Sequence, residues 1–364
     1  MTRIVSTSEL DAPTRRAIQQ LDAQWTDRFY GNDYGLRNAV VNGGLDIWQR
    51  GPGPFTTNGA YSADQALLAF SGSTMTVTQQ TFTPGNTIAG YEPRFYLRSV
   101  VSSVAGVGNY AILDRRIESV RTFAGQTVTL SFWAKANTAK SIAIEFYQNF
   151  GVGGAPSADV NGIGSTLIPL STSWERKSVT VTIPSISGKT LGTTHDGFLR
   201  FFLWMDAGSS YAARAAGLPQ QSGTFDFWGF QLEVGDRPTS FERRPYATEL
   251  ALCQRYFWRV DFAARPHICN AINLNTTSTF GNIAYPVPMR GQPGLTTGGA
   301  AADYGIYNSA QTSVACTAKP IAVNGGTTGC LLQADSTGAL VAGQANSIHF
   351  RSSSGPYFDF SAEL

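Results

Sequence analysis

Charge is scarce in this sequence, and so are the side chains on which most chemistry depends. Only 14% of the 364 residues are Asp, Glu, Lys or Arg, split into 27 basic and 25 acidic side chains. So few charges, so nearly balanced, supply no concentrated positive patch to hold a phosphate backbone, and nucleic acid is not an expected partner. Three histidines occur, His195, His267 and His349, with no Gly-x-Ser-x-Gly elbow or other nucleophile signature beside them. Nucleophilic catalysis needs a base next to its nucleophile, so each is read as a surface or hydrogen-bonded residue. Cys253, Cys269, Cys316 and Cys330 are widely spaced, with no C-x-x-C pair and no His at ligand spacing. They are expected as buried or inert thiols, and a Cys316 to Cys330 link stays open. No apolar run is long enough to span a bilayer, which argues against membrane insertion. The opening MTRIVSTSELDAPTRR lacks the apolar core of a secretory signal, so export by that route is not expected.

Paired carboxylates are equally hard to find. Glu145, Asp206 and Asp226 fall on strands or strand ends but are unclustered, and no short β-helix period accompanies them. Gly151-Val152-Gly153-Gly154 has no following Lys-Ser/Thr and reads as a loop. The expectation is a protein that is not an enzyme and needs no cofactor.

What is present is strand grammar. In Thr127–Ala136, Val128, Leu130, Phe132 and Ala134 alternate with Thr129, Ser131, Trp133 and Lys135, the period-two pattern of a strand with one buried face. Ser141–Gln148, Lys177–Ile183, Phe198–Trp204 and Phe225–Val234 are likewise short and aromatic or β-branched. With 38 glycines and 17 prolines to make turns, the chain predicts an all-β fold, an antiparallel β-sandwich of jelly-roll type. Before it, Asp11–Tyr30 reads as a short helix: Asp11 can cap it, Pro13 suits its first turn, and Ile18, Leu21, Trp25 and Phe29 share one side. That stripe suits either a helix lying on the sandwich or an anchor packing against copies of itself or a larger assembly. Thr248–Phe257 predicts a linking helix with Leu250, Leu252 and Tyr256 inward. Beyond Val260 charge falls, and candidate strands at Ile268–Leu274, Thr279–Val287, Gly305–Tyr307, Ser313–Val323, Cys330–Gln333 and Ile348–Phe350 predict a second, smaller β-sandwich. The domain reading is therefore 1–35 helical arm, 36–247 jelly roll, 248–260 helical linker and 261–364 C-terminal β-sandwich.

Five blocks in order carry a family likeness: Asn42-Gly43-Gly44 with Asp46, Trp48-Gln49-Arg50-Gly51 and Ser62-Ala63-Asp64; Gly125–Ala136; Ser173-Trp174-Glu175-Arg176 with Val179–Pro184; Gln231–Gly235 with Pro238–Glu242; and Glu249-Leu250 with Cys253–Phe257. Met289-Arg290-Gly291-Gln292-Pro293 and the ending Phe360–Leu364 extend it loosely. Together these resemble the carbohydrate-binding-module-like jelly roll of tail-fibre and receptor-binding proteins of tailed bacteriophages and prophages. The resemblance implies a virion structural protein, made in the bacterial cytoplasm and carried on the phage tail. It would attach to other tail proteins through the N-terminal helix residues Ile18, Leu21, Trp25 and Phe29, adhere to host-surface polysaccharide, and form a homotrimer. Two rivals accompany it: a connecting protein of tail, baseplate or collar that binds no receptor, and a bacterial carbohydrate-binding module protein.

Sugar recognition needs rings against pyranose C–H surfaces and polar groups at hydroxyls. Trp133, Lys135, Glu145, Tyr147, Arg200 and Trp204 are the candidate glycan contacts, expected together on one sheet; the alternative for these rings is core or subunit interface. Related jelly rolls take a structural calcium from the Asn-Gly turn and an Asp in the last strand. Asp46 is a weak candidate ligand here, since Trp228 stands near where that Asp is expected, and calcium wants six to eight oxygens.

Overall fold

The computed structural model describes residues 37–364 except 89, 265, 308, 309, 311, 339 and 354. The expected helix with Ile18, Leu21, Trp25 and Phe29 lies outside the described residues. The first ten strands are β1 (Leu67–Ser71), β2 (Thr74–Thr81), β3 (Phe95–Ser102), β4 (Tyr110–Glu118), β5 (Thr127–Ala136), β6 (Lys140–Asn149), β7 (Val160–Leu170), β8 (Glu175–Thr182), β9 (Phe198–Ala207) and β10 (Gly223–Val234). They pair as two antiparallel five-stranded sheets, β1-β4-β9-β6-β7 and β2-β3-β10-β5-β8. Helix α1 (Tyr246–Gln254) follows. Next come β11 (Phe257–Asp261), β12 (His267–Asn273), β13 (Ser278–Ala284), β14 (Gly294–Thr297), β15 (Tyr304–Tyr307), β16 (Ser313–Ala315), β17 (Ile321–Gly325), β18 (Gly329–Asp335), β19 (Ala345–Phe350) and β20 (Tyr357–Ser361). These make a three-stranded sheet, β11-β20-β14, and a seven-stranded sheet, β16-β15-β19-β12-β13-β18-β17. The fold is all-β, two sandwiches in series.

The first core lies between the two five-stranded sheets. Leu113, Ile144, Phe146, Phe201 and Leu203 come from one, and Val77, Leu97, Leu130, Phe132, Phe227 and Leu232 from the other. Alternation along each strand delivers these side chains to one face. The expectation for β5 needs correction on its other face: Thr129, Ser131 and Trp133 are buried too. The segment after β10 covers them, with Thr129 Oγ1 bonded to the Gly235 carbonyl at 2.8 Å and the Phe241 ring 6.1 Å from that of Trp133.

β10 changes face part-way along. Its pairing with β5 shifts register between Trp228 and Gln231, a bulge built on Gly229 at φ +67°. Phe225 and Phe227 point into the core before the bulge, and Phe230 and Leu232 do so after it. The Asn42-Gly43 turn locks this bulge. The Phe230 amide donates to the Gly43 carbonyl (2.9 Å), and Asn38 Nδ2 donates to the Phe230 carbonyl (2.9 Å). A Cβ at Gly43 would stand 2.2 Å from the Phe230 carbonyl oxygen. From the opposite sheet, the fully buried Arg115 donates Nη2 to the Val41 carbonyl at 2.7 Å.

The linking helix starts and ends earlier than expected. It begins at Tyr246, just after Pro245, and Phe257 already belongs to β11, which pairs with β20 in the second sandwich. Cys253 and Tyr256 are buried, whereas Leu250 and Leu252 are half-buried. The single strand expected over Ser313–Val323 is two: β16 and β17 sit on opposite edges of the seven-stranded sheet. Pro320 between them has no N–H for a ladder, which explains the break. None of the four cysteines forms a disulfide and all four are buried, so the Cys316 to Cys330 link is not formed. Burial pushes the Cys316 thiol up to about 12.

The two sandwiches meet in a polar joint. Gln49 Nε2 donates to Asp64 Oδ2 and to the Phe257 carbonyl, each at 2.7 Å. Arg50 pairs with Asp64 (3.5 Å) and Glu363 (2.9 Å) while its guanidinium lies 3.4 Å from the centre of the Phe257 ring. Tyr61 donates to the Leu364 carbonyl (2.9 Å), as does Arg116. Arg255 holds Glu118 by two bonds of 2.9 and 2.6 Å, and Arg290 donates to the carbonyls of Ala362 and Glu363, both at 2.9 Å. Two buried acids, Asp64 and Glu363, thus share Arg50. Burial, added to by Glu363, pushes the Asp64 carboxyl up to about 7 against the pull of Arg50 and Gln49.

Two outcomes follow. Gly43→Ala should cost about 3 kcal/mol or more in chemical denaturation, because the clash is with backbone. Gly51→Ala, at φ +88° with open space around it, should cost about 1 kcal/mol. For Asp64, the folded carboxyl holds a proton that the unfolded one, at 3.8, has released. Its contribution is therefore complete below about pH 4 and lost as pH rises to about 7. Wild type should lose stability relative to Asp64→Asn across that window, by on the order of a few kcal/mol; parallel stability curves for the two proteins would contradict the assignment.

Candidate functional site

The six candidate glycan contacts do not share a sheet. Trp133 and Lys135 are on β5, in the β10 sheet, while Glu145 and Tyr147 on β6 and Arg200 and Trp204 on β9 are in the other. Strand pairing separates them: β5 lies between β10 and β8, whereas β6 pairs with β9 and β7. The two groups occupy outer faces on opposite sides of the sandwich.

On the β10 sheet, Trp133 is buried under Phe241 and under Arg176, whose guanidinium is 4.8 Å from its ring. It belongs to a hydrophobic cluster with Phe82, Ile88 and Trp228. Lys135 pairs with Asp226 (3.6 Å) and lies 5.3 Å from the Trp174 ring, and Arg98 holds Asp226 by two bonds of 2.7 and 2.8 Å. Half-buried Tyr96 and Trp174 are among the rings this face leaves reachable. Neither stood out in the sequence, where Trp174 read as part of an edge motif.

The β9 sheet brings four of the six together in different roles. Glu145 is fully buried and accepts four N–H groups: Arg214 Nε (2.7 Å) and Nη2 (3.1 Å), Trp204 Nε1 (3.0 Å) and the Gly162 amide (2.7 Å). Trp204 is 1% exposed, covered by Tyr110 and by Tyr211, Ala215 and Leu218 of the loop after β9. Both are therefore structural, pinning that loop to the sheet.

Tyr147 and Arg200 remain half-exposed and adjacent. The Arg200 guanidinium lies 4.0 Å from the Tyr147 ring centre and 4.5 Å from that of Phe202, and its Nη1 is 3.4 Å from Asp114 Oδ2. The Tyr147 hydroxyl donates to Asp159, which also receives Asn149 Nδ2 at 3.1 Å. Half-buried Phe198, with Arg116 over its ring at 4.8 Å, completes the strip. Asn149, Asp159, Phe198 and Phe202 are the members sequence reading missed. Asn149, Phe198 and Phe202 stand two residues from Tyr147 or Arg200 on the same strand face, a legible signal; Asp159 lies in a loop and gave none. Rings flanked by acceptors and by guanidinium donors can hold a polyhydroxylated ligand.

The carboxylates considered for hydrolysis are all occupied. Glu145 and Asp226 are paired as above. Asp206 accepts Ser73 Oγ (2.6 Å), Ser103 Oγ (2.8 Å) and the Gln221 amide (2.7 Å). His349 is buried and bonded through Nε2 to Ser313 Oγ at 2.8 Å, and burial pushes it down to about 4. Asp46 does not fit a calcium ion. The charged groups beside it include the Arg94 and Arg243 guanidiniums, and among the described residues no three His, Cys, Asp or Glu gather as a metal site. Trp228, in the place expected for the second carboxylate, is packed under Phe241 with ring centres 5.0 Å apart.

No family model matches this chain. No curated protein matches it either. Among solved structures it is similar to a CBM4 module at 14% identity and TM-score 0.31, over 54% of this chain and 99% of that one. It is similar to the family 11 carbohydrate-binding module of the cellulosomal cellulase Lic26A-Cel5E of Clostridium thermocellum, at 10% identity and TM-score 0.31, over 52% and 98%. A third is the enzymatically active domain of tailspike protein 4 of bacteriophage CBA120, at 15% identity and TM-score 0.31; the match covers 55% of this chain and 22% of that one. Among the described residues no helix is long and apolar enough to cross a membrane.

Glu145→Gln turns an acceptor of four N–H groups into one with its own N–H₂ facing donors. Breaking a buried pair from one side costs about 3–5 kcal/mol. Denaturation should show a loss of that order, with faster proteolysis within residues 208–222; an unchanged midpoint would remove Glu145 from its structural role.

Proposed function

We propose that this chain is a β-rich tail-fibre or tail-tip component of a tailed-phage particle that adheres to host-surface glycan through the outer face of β4, β9 and β6. The observation carrying the reading is the partly exposed strip of Tyr147, Arg200 and Phe198, whose side chains pack together on this outer face. The phage setting rests on the ordered motifs of the sequence. In this reading the N-terminal segment attaches to other tail proteins, the chain works as a homotrimer, and weak single contacts gain strength through multivalency. No chemical step is involved, in keeping with three candidate carboxylates consumed by structural partners.

A second reading, a connecting protein of the tail that binds no glycan, is favoured by the burial of Trp133 and Trp204, which takes the two largest candidate rings off both faces.

The test is binding of the purified full-length chain, its solution mass fixed, to whole host bacteria and to a glycan array. Glycan adhesion predicts that Tyr147→Ala and Arg200→Ala each weaken binding by about tenfold while the fold is kept. A trimer that binds no saccharide would favour the connecting role.

A further inference from the structure

A cleft of about 310 Å³ opens between the Gly44–Asp46 turn, the Tyr91–Arg94 loop and the segment from Phe241 to Tyr246, away from the Tyr147 face. Six charged side chains line it, and half are already committed. Arg244 pairs with Glu249 at 3.1 Å, Glu249 accepts the Asn42 amide at 2.6 Å, and Glu242 accepts the Asn38 amide at 2.5 Å. The side chains of Asp46, Arg94 and Arg243 make no hydrogen bond or ion pair among the described residues. Each arginine lies near an aromatic ring: the Arg243 guanidinium is 3.5 Å from the Tyr91 ring centre, and that of Arg94 is 4.7 Å from the Phe95 ring centre. A guanidinium held by its flat face keeps its N–H edges free.

We propose that this cleft is a binding site for an acidic saccharide unit, its carboxylate held by Arg94 and Arg243, a hydroxyl bonded to Asp46, and its ring set against Phe241 and Tyr246. The proposal rests on the glycan-binding reading above and adds a second site of different chemistry. The planar guanidinium fork matches a carboxylate. Asp46 sets the charge of the ligand: a carboxyl among the donors repels a multiply charged phosphate but accepts a sugar hydroxyl. Burial first, then Glu249, pushes Asp46 up to about 6. Gly44 keeps the carboxyl open, since a Cβ there would stand 3.0 Å from Asp46 Oδ2. Tyr246 is 62% exposed at the mouth and offers its ring as an apolar surface.

Tryptophan fluorescence can report on this cleft, because the Trp228 ring lies 6.0 Å from Tyr91 and 5.0 Å from Phe241. The full-length chain is titrated with tri-galacturonate and N-acetylneuraminic acid, with neutral galactotriose and with acetate alone. The expected result is a signal for an acidic saccharide, about tenfold or more weaker in Arg243→Ala and in Arg94→Gln and unchanged in Tyr147→Ala. Three results would overturn it: acidic binding that both arginine variants leave intact, acidic binding lost in Tyr147→Ala, or a response to acetate that the saccharides do not exceed. If neutral glycans bind through Tyr147 and acidic ones do not bind at all, this site fails and the earlier reading stands. Absence of any saccharide binding ends both.

Discussion

One backbone contact fixes how the first sandwich faces. Where Gly43 meets Phe230, there is room for a hydrogen and nothing larger. The contact holds the bulge that lets β10 keep its apolar residues inward on both sides of Gly229. Without the extra residue Phe230 and Leu232 would turn outward, because a one-residue shift reverses every side chain beyond it. Asn38 donates to the Phe230 carbonyl and accepts the Leu232 amide on either side of this contact, while Asn42 donates to the Ile47 carbonyl and Arg115 to the Val41 carbonyl to hold the turn. Arg115 is fully buried yet donates only to carbonyls, through Nη2, with the Phe230 ring 5.3 Å from its guanidinium and no carboxylate in hydrogen-bonding contact among the described residues, so its charge is only partly offset and burial pushes it down to about 10.

Many of the residues by which the sequence resembles a family prove to be scaffold. Gln49, Arg50 and Asp64 of the first block, Arg255 to Phe257 of the last, Arg290 and the final Glu363 and Leu364 converge on the joint between sandwiches. None lies on the Tyr147 strip.

Much of the fold was legible in local pattern. β5 has the bounds its alternation indicated, Thr127–Ala136, since a period of two over ten residues admits one reading. Its second buried face was not legible, because what covers Thr129 and Trp133 arrives from a segment a hundred residues later. The candidate site divides the same way. Tyr147 and Arg200 belong together because β6 pairs with β9, a non-local choice that no spacing reveals, and the same pairing moves Trp133 and Lys135 to the far side. Trp204 and Glu145 looked like ligand groups by residue type. Burial by the loop after β9, which their own strands could not announce, made them supports.

The joint also has a history in time. Arg50 and Glu363 are 313 residues apart, so at about 5–20 residues per second Arg50, Asp64 and Arg116 wait on the order of 15–60 s on the ribosome for their partners. An apolar seam left open that long would invite other nascent chains to stick. A seam of charges and amides stays hydrated while it waits and closes when its last strand is made, trading some strength between the sandwiches for safety during synthesis.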